Sequence, residues 1–224
     1  MPQFNEYSNL VQIAVRNPKH AFVSQEKLAK EWRPLRFHSM PDFEDANAEF
    51  ALFRQFIATS GAEVVDLPAH ENLTIDSIYP RDNVLVSPKG LILCNMGRAS
   101  RTPEAAVNVA VYEALGHSIA GQITAPGTLE GGDFIWIDEH HAAVGLGPRT
   151  NKEGIRQLQA ILGDEVDLHV VVLPDPEHPD DVLHLMSIIS PIDQDLALIY
   201  RPFMPKEFLA WLEARGVRFV DVPE

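Results

Sequence analysis

A helix that closes on a glycine and runs straight into a short β-branched strand occurs four times along this chain, and that recurrence limits the folds open to it. The helices lie in PDFEDANAEFALFRQFIATSG, TPEAAVNVAVYEALG, NKEGIRQLQAILG and PKEFLAWLEARG, ending at Gly61, Gly116, Gly163 and Gly216. The runs that follow them are AEVVDLP, HSIAGQI, DLHVVVLP and VRFVDVP. Glycine suits the position just past a helix because it takes the left-handed backbone without a Cβ clash. The intervals are 55 (61 to 116), 47 (116 to 163) and 53 (163 to 216), a repeat of structure without a repeat of sequence. In the first helix the pattern predicts a core-facing set of Phe50, Phe53, Phe56 and Ile57.

Each of the last three helices is preceded by two apolar runs flanking a short turn: NVLV-SPKG-LILCNM, FIWI-DEH-HAAVGL and SIISP-IDQ-DLALIY. The repeating copy is therefore hairpin, helix, strand. A degenerate first copy begins near NLVQIAVRN, with Phe22 and Val23 as its return strand and a polar insertion from Gln25 to Pro41 ahead of the helix. A copy of about 50 residues cannot bury its own apolar face, so neighbours must close the core. A radial α/β arrangement fits better than a doubly wound sheet, in which single strands alternate with helices. The last copy runs to Val222-Pro223-Glu224.

Composition narrows the partners. Of 224 residues, 46% are hydrophobic and 22% charged, which suits a globular core. The 32 acidic against 18 basic side chains give a formal charge of −14, which disfavours nucleic acid because backbone binding needs clustered Lys and Arg. No apolar stretch approaches the roughly 20 residues of a membrane span, and MPQFNEYSNL lacks a signal-peptide layout, so a cytoplasmic location without membrane partners is expected. The one cysteine, Cys94 in LILCNM, excludes a disulfide framework, a zinc ribbon and a thioredoxin-like pair. A small, buried, inert side chain is its ordinary reading.

Three polar residues stand at the entrances of consecutive hairpins: Asp82, Asp133 and His184, spaced 51 (82 to 133) and 51 (133 to 184). In a radial repeat such positions converge on the common axis. Around them lie Asp76 and Arg81 in TIDSIYPRDN, Glu130 in TLEGGDF, and Arg149 and Asn151 in GPRTN. Acids and arginines together suit a zwitterionic ligand. Taken singly these residues have plainer readings: an Asp before a strand is ordinarily a turn residue, Thr150 and Asn151 look like helix N-caps, and a histidine in an apolar run is ordinarily a satisfied core residue. Gly131-Gly132 is harder to dismiss, because a double glycine entering a strand implies close approach of other groups. His140-His141, His169, His178 and His184 show no metal-ligand spacing, and no metal is expected.

TIDSIYPRD, APGTLEGGD, GPRTN and VLHL, in this order and spacing, resemble the guanidino-group modifying enzymes: dimethylarginine dimethylaminohydrolase, arginine deiminase and arginine:glycine amidinotransferase. The resemblance runs from about residue 10 to the end. It implies an α/β fold of the pentein type, a five-bladed α/β propeller of hairpin-helix-strand copies. Four copies are visible, so the expectation is one catalytic domain over residues 1–224 with its fifth copy incomplete. It implies that Asp82 holds a guanidinium, that Glu130 pairs with guanidinium or histidine, and that His184 is the general acid and base. Arg149 would clamp a substrate carboxylate, and Asp76, Arg101 and Asp133 would be further substrate contacts. The implied activity is hydrolysis of arginine or an N-substituted arginine to citrulline or a ureido product, with no cofactor. Alternatives are amidino transfer to an amine and a non-catalytic arginine-binding protein; a homodimer is left open.

Two departures stand out. The family nucleophile is a cysteine near the C-terminus, and no cysteine follows His184 here. The expectation is a chain that ends before its nucleophile, inactive and poorly stable in the 224-residue form. Arginine deiminases carry Leu-Asp after the histidine, whereas this chain has Leu185-Met186, and dimethylarginine hydrolases commonly carry an acid where Arg81 stands.

Overall fold

The four helix-ending glycines adopt the left-handed backbone, with φ of 80° at Gly61, 87° at Gly116, 83° at Gly163 and 80° at Gly216. At these places any other residue would carry steric strain. The computed structural model describes residues 4–174 and 183–223. By its contacts the chain divides into two bodies, one of residues 9–81 and 98–116 and a second holding the rest.

The first body contains β1 (Gln12–Val15), α1 (Pro18–Ala21), α2 (Gln25–Glu31), α3 (Phe43–Ala58), β2 (Glu63–Asp66) and α4 (Glu104–Ala114). β1 and β2 pair in parallel, Gln12 opposite Glu63 through Val15 opposite Asp66. Its core gathers Ala21, Phe22, Leu28, Leu35 and Ile75. The expected return strand at Phe22 and Val23 is not formed. Phe22 instead ends α1, its N–H donating to the Pro18 carbonyl, and its ring is core. The polar insertion likewise contains a helix, α2, because the Ser24 hydroxyl accepts from the Lys27 N–H and caps it.

The aromatic face expected of α3 is also corrected. Ile57 is buried and Phe50 half-buried, but Phe53 is 50% and Phe56 76% exposed. The reason is helical geometry. At 3.6 residues per turn each three-residue step falls about 60° short of a full turn, so 50, 53 and 56 walk off the face that Phe43, Ala46 and Ile57 share.

The second body holds three sheets of one pattern, built from β3 (Val84–Ser87), β4 (Gly90–Leu93) and β5 (Ile119–Gln122), then β6 (Phe134–Trp136), β7 (His141–Leu146) and β8 (Asp167–Val172), then β9 (Ile189–Asp193), β10 (Leu196–Ile199) and β11 (Arg218–Asp221). In each, the first two strands are antiparallel and the third lies parallel to the second. Helices α5 (Lys152–Leu162) and α6 (Lys206–Glu213) link the second strand to the third in the last two sheets and bury Ile155, Leu158 and Leu162, and Phe208 and Leu212. The hairpin-helix-strand copies expected from the sequence are thus present. The Trp136 indole N–H, donating to the Val86 carbonyl at 2.9 Å, ties one sheet to the next. Each fully buried Leu, Ile or Phe in these cores contributes about 1.5–3 kcal/mol.

Candidate active site

Each first strand of the three sheets is entered through a short 3-10 turn, at Pro80–Asn83, Gly131–Asp133 and Leu185–Ser187. These turns carry Asp82 and Asp133 and begin just after His184, so the two intervals of 51 in sequence mark one recurrent place in the fold. The glycine between them explains how closely the groups approach. A Cβ on Gly132 would stand 2.9 Å from Cγ of His184 and 3.0 Å from Oδ1 of Asp82, inside any normal contact. Gly132 is therefore required by packing, and it lets an imidazole and a carboxylate meet over one backbone position.

Glu130, just before that turn, is fully buried. Its Oε2 lies 3.0 Å from Nε2 of His184, and both carboxylate oxygens lie 3.1 Å from Nη1 of Arg149. The His184 and Arg149 side chains are each 17% exposed, so the pair opens narrowly to solvent through them. Asp133 has a different task. One of its oxygens accepts from the Thr150 hydroxyl at 2.7 Å and the other from the Leu185 N–H at 3.1 Å. Buried, it brackets the backbone after His184 and the loop that carries Arg149.

That loop is held at several points. Thr150 Oγ1 also accepts from the Glu130 N–H, and the Thr150 carbonyl accepts from the Gly147 N–H. Asn151 caps α5 through the Gly154 N–H and exchanges further bonds with Thr128 and the Pro126 carbonyl. Gly97 meets the Arg149 main chain so closely that a Cβ there would sit 2.5 Å from the Arg149 carbonyl oxygen. Thr150 was legible only as a helix cap; its bridging of Glu130 and Asp133 had no sequence signal.

Charges follow from these contacts. Burial disfavours the imidazolium of His184, but its hydrogen bond to the Glu130 carboxylate and the negative charges of Asp133 and Asp82 outweigh it and raise its pKa above the ordinary histidine value. Burial pushes Asp133 up to about 6, against the opposing pull of His184, Thr150 and the Leu185 N–H. Cys94 sits in the core with Ile92, Met96 and Phe134. Burial there raises its thiol pKa far above the usual range, with Asp82 and Glu130 adding to the effect, so it stays a neutral thiol.

Asp76 and Arg101 belong to the first body, where each is partnered. Asp76 accepts from Nη1 of Arg98 at 2.7 Å, and Arg98 also reaches the Leu35 carbonyl. Arg101 grips Glu104 through Nε and Nη2 at 2.7 and 2.9 Å, with both side chains buried. Arg98 and Glu104 were not singled out in the sequence, although the three-residue spacing of Arg101 and Glu104 is the usual spacing of a helical ion pair. Arg81 is exposed. Among the described residues no three His, Cys, Asp or Glu side chains are placed to hold a metal ion. His141 is bound by Asp138 at 2.8 Å and His169 stacks on Trp211 at 4.6 Å, while His178 lies outside the described residues. No described helix is long and apolar enough to cross a membrane.

A buried carboxylate thus lies between a guanidinium and an imidazole, beside the turns that enter the repeated α/β sheets. The family model described as arginine deiminase matches residues 75–218, and the chain belongs to that family. Among curated proteins it is 27% identical over 185 residues to N(G),N(G)-dimethylarginine dimethylaminohydrolase of Pseudomonas aeruginosa, covering 82% of this chain and 68% of that one. It is 31% identical over 149 residues to the protein of the same name from Streptomyces coelicolor, covering 66% of this chain and 53% of that one, so it spans about half to two thirds of these relatives' lengths. A solved structure of the Pseudomonas aeruginosa protein, a cysteine-to-serine mutant complexed with citrulline, superposes with a TM-score of 0.75 at 24% identity over 96% of this chain and 77% of that one. The fold is the pentein fold.

Proposed function

We propose that this chain forms the guanidinium-binding and proton-transfer site of a cysteine hydrolase acting on arginine or an N-substituted arginine of the dimethylarginine kind, with residues 1–224 belonging to one catalytic domain. The observation that carries the reading is Glu130, a fully buried carboxylate that touches a guanidinium on one side and His184 on the other. The relatives named dimethylarginine dimethylaminohydrolase support the same substrate class.

Chemistry gives each residue a task. A guanidinium carbon is a poor electrophile because its charge is delocalised, so it must be fixed by carboxylates before attack; Glu130 and Asp82 supply them. A thiolate adds to that carbon, and as the C–N bond to the amine breaks, His184 gives the amine its proton. Water then adds to the thiouronium carbon while His184 takes one of its protons; the C–S bond breaks as the remaining hydroxyl proton passes through solvent to the released amine, and a neutral ureido product and thiolate are left. Guanidinium and water thus become ureido compound and ammonium. The raised pKa of His184 favours the protonated form that the first step uses.

Cys94 cannot be the thiolate, since it is buried and held neutral. The attacking sulfur is assigned to sequence outside residues 1–224. The test is calorimetric titration of the 224-residue chain with citrulline and with arginine and its methylated forms, alongside a ureido assay. Binding without turnover is expected. Turnover abolished by Cys94→Ser would overturn the assignment of the nucleophile, and absence of any binding would overturn the reading as a whole. A new guanidino compound formed with glycine, and no ureido product, would mark a transferase.

A further inference from the structure

We propose that the guanidinium of Arg149 holds the position that a ligand's guanidinium would take: it pairs with Glu130 and leaves it when a guanidinium ligand arrives. This rests on the reading of Glu130 as the ligand's anchor.

The starting point is a cost. A carboxylate with no solvent exposure needs a cationic partner, because an uncompensated buried charge is destabilising by several kcal/mol. Arg149 provides one, and its head group is the same chemical species that the substrate would present. A ligand guanidinium arriving at Glu130 meets the Arg149 head group across both oxygens and His184 on Oε2, so it competes with Arg149 for the carboxylate.

The contact is built to be exchanged. Nη1 alone spans both oxygens of Glu130 at 3.1 Å each, whereas Arg101 sets two nitrogens on the two oxygens of Glu104 at 2.7 and 2.9 Å. The second arrangement is the parallel fork that makes such pairs strong; the first lacks it and is longer. The Arg149 head also has a route out, since it is partly exposed while Glu130 is not.

What moves is the side chain. Thr150, Asn151 and the close packing of Gly97 hold the loop backbone, so Arg149 leaves Glu130 by rotation about its own bonds. Replacing one monocation by another keeps the charge around His184 constant, with Glu130, Asp82 and Asp133 all facing it in both states. A released Arg149 can meet the carboxylate of an amino-acid ligand, which is the clamp that the family resemblance implies. Exchange lowers apparent affinity by the fraction of molecules in which Arg149 has left Glu130, so ligands without a carboxylate bear the full competition.

Methylguanidinium is the discriminating probe, because it has the guanidinium and no carboxylate. Its affinity for the wild-type chain, Arg149→Met and Arg149→Lys is measured by calorimetry, and His184 is titrated by NMR in each. Arg149→Met is expected to bind methylguanidinium ~10-fold more tightly than wild type, and Arg149→Lys, which keeps the charge but loses the planar head, by a smaller factor. In Arg149→Met the His184 pKa rises, and saturating methylguanidinium returns it to the wild-type value; in wild type the probe leaves it unchanged. Lost packing alone would raise neither quantity. Dimethylarginine binding to wild type together with no gain for methylguanidinium in either variant would overturn the exchange and leave the guanidinium site standing. No binding of either ligand to any form would overturn both.

Discussion

Two arginine–glutamate pairs are built from the same groups and held differently. Arg101 and Glu104 are three residues apart, both buried, and joined nitrogen to oxygen twice at 2.7 and 2.9 Å, with the Tyr79 carbonyl taking a further bond from Arg101. Arg149 and Glu130 are nineteen residues apart and meet through one nitrogen at 3.1 Å, and the carboxylate also serves a histidine fifty-four residues away. The two charges of the first pair lie within one stretch of chain and are joined by a parallel fork. The second joins three segments, leaves two of its partners partly exposed, and has a histidine with a raised pKa attached. In the function proposed above, the second pair is the one that holds a place for a ligand.

Four substitutions would break or sharpen this contrast. Glu104→Gln should have the largest effect on stability, a loss of about 3–5 kcal/mol by denaturant unfolding, because it leaves the buried Arg101 charge uncompensated. Guanidinium affinity of the folded protein should stay within about twofold. A loss of affinity at unchanged stability would mean that the two pairs have exchanged roles.

Asp133→Asn should come next, and its effect is on pH dependence. The folded pKa is raised from 3.8 to about 6, so the folded form holds this proton more tightly than the unfolded one, and stability falls as pH rises between those values. The arm is worth about 3 kcal/mol and should vanish in Asp133→Asn. His184 adds an arm of the same sign, present below the unfolded histidine value and lost as pH rises through its raised folded value; it should persist, reduced, in the variant. Unfolding free energies from pH 4 to 8 check both.

Gly132→Ala should cost about 1–3 kcal/mol through overpacking and push the ring of His184 away from Glu130, which an NMR titration would show as a fall in the histidine pKa. The smallest change belongs to Cys94→Ala, a lost sulfur in a packed core: about 1–2 kcal/mol of stability and no change in ligand affinity. Weakened binding there would bring the thiol back into the site.

The repeat was legible because each helix announces its end with a glycine and each hairpin with paired apolar runs; every strand of the second body falls on a run recognised in the sequence. The first body was read less well. Phe22 sits in an apolar pair that suits a strand, yet tertiary packing and the Asn17 and Ser24 caps make the segment helical on both sides of Val23. Spacing placed Asp82, Asp133 and His184 together, but it could not separate their tasks. The first strands begin at 84, 134 and 189, so His184 stands farther ahead of its strand than the two carboxylates do, and Asp133 faces inward to Thr150 and Leu185. Pairing of Arg149 with Glu130 depends on where the pinned GPRTN loop places residue 149, which no pattern of residue types encodes.

The site stands on Glu130, and calorimetric titration of dimethylarginine into wild-type chain and Glu130→Gln at neutral pH tests it most directly. Binding to the wild type that weakens about 100-fold or more in the variant, as expected when a buried, hydrogen-bonded charge partner is truncated, is the predicted result. Equal binding to both forms, with the variant folded, would contradict it.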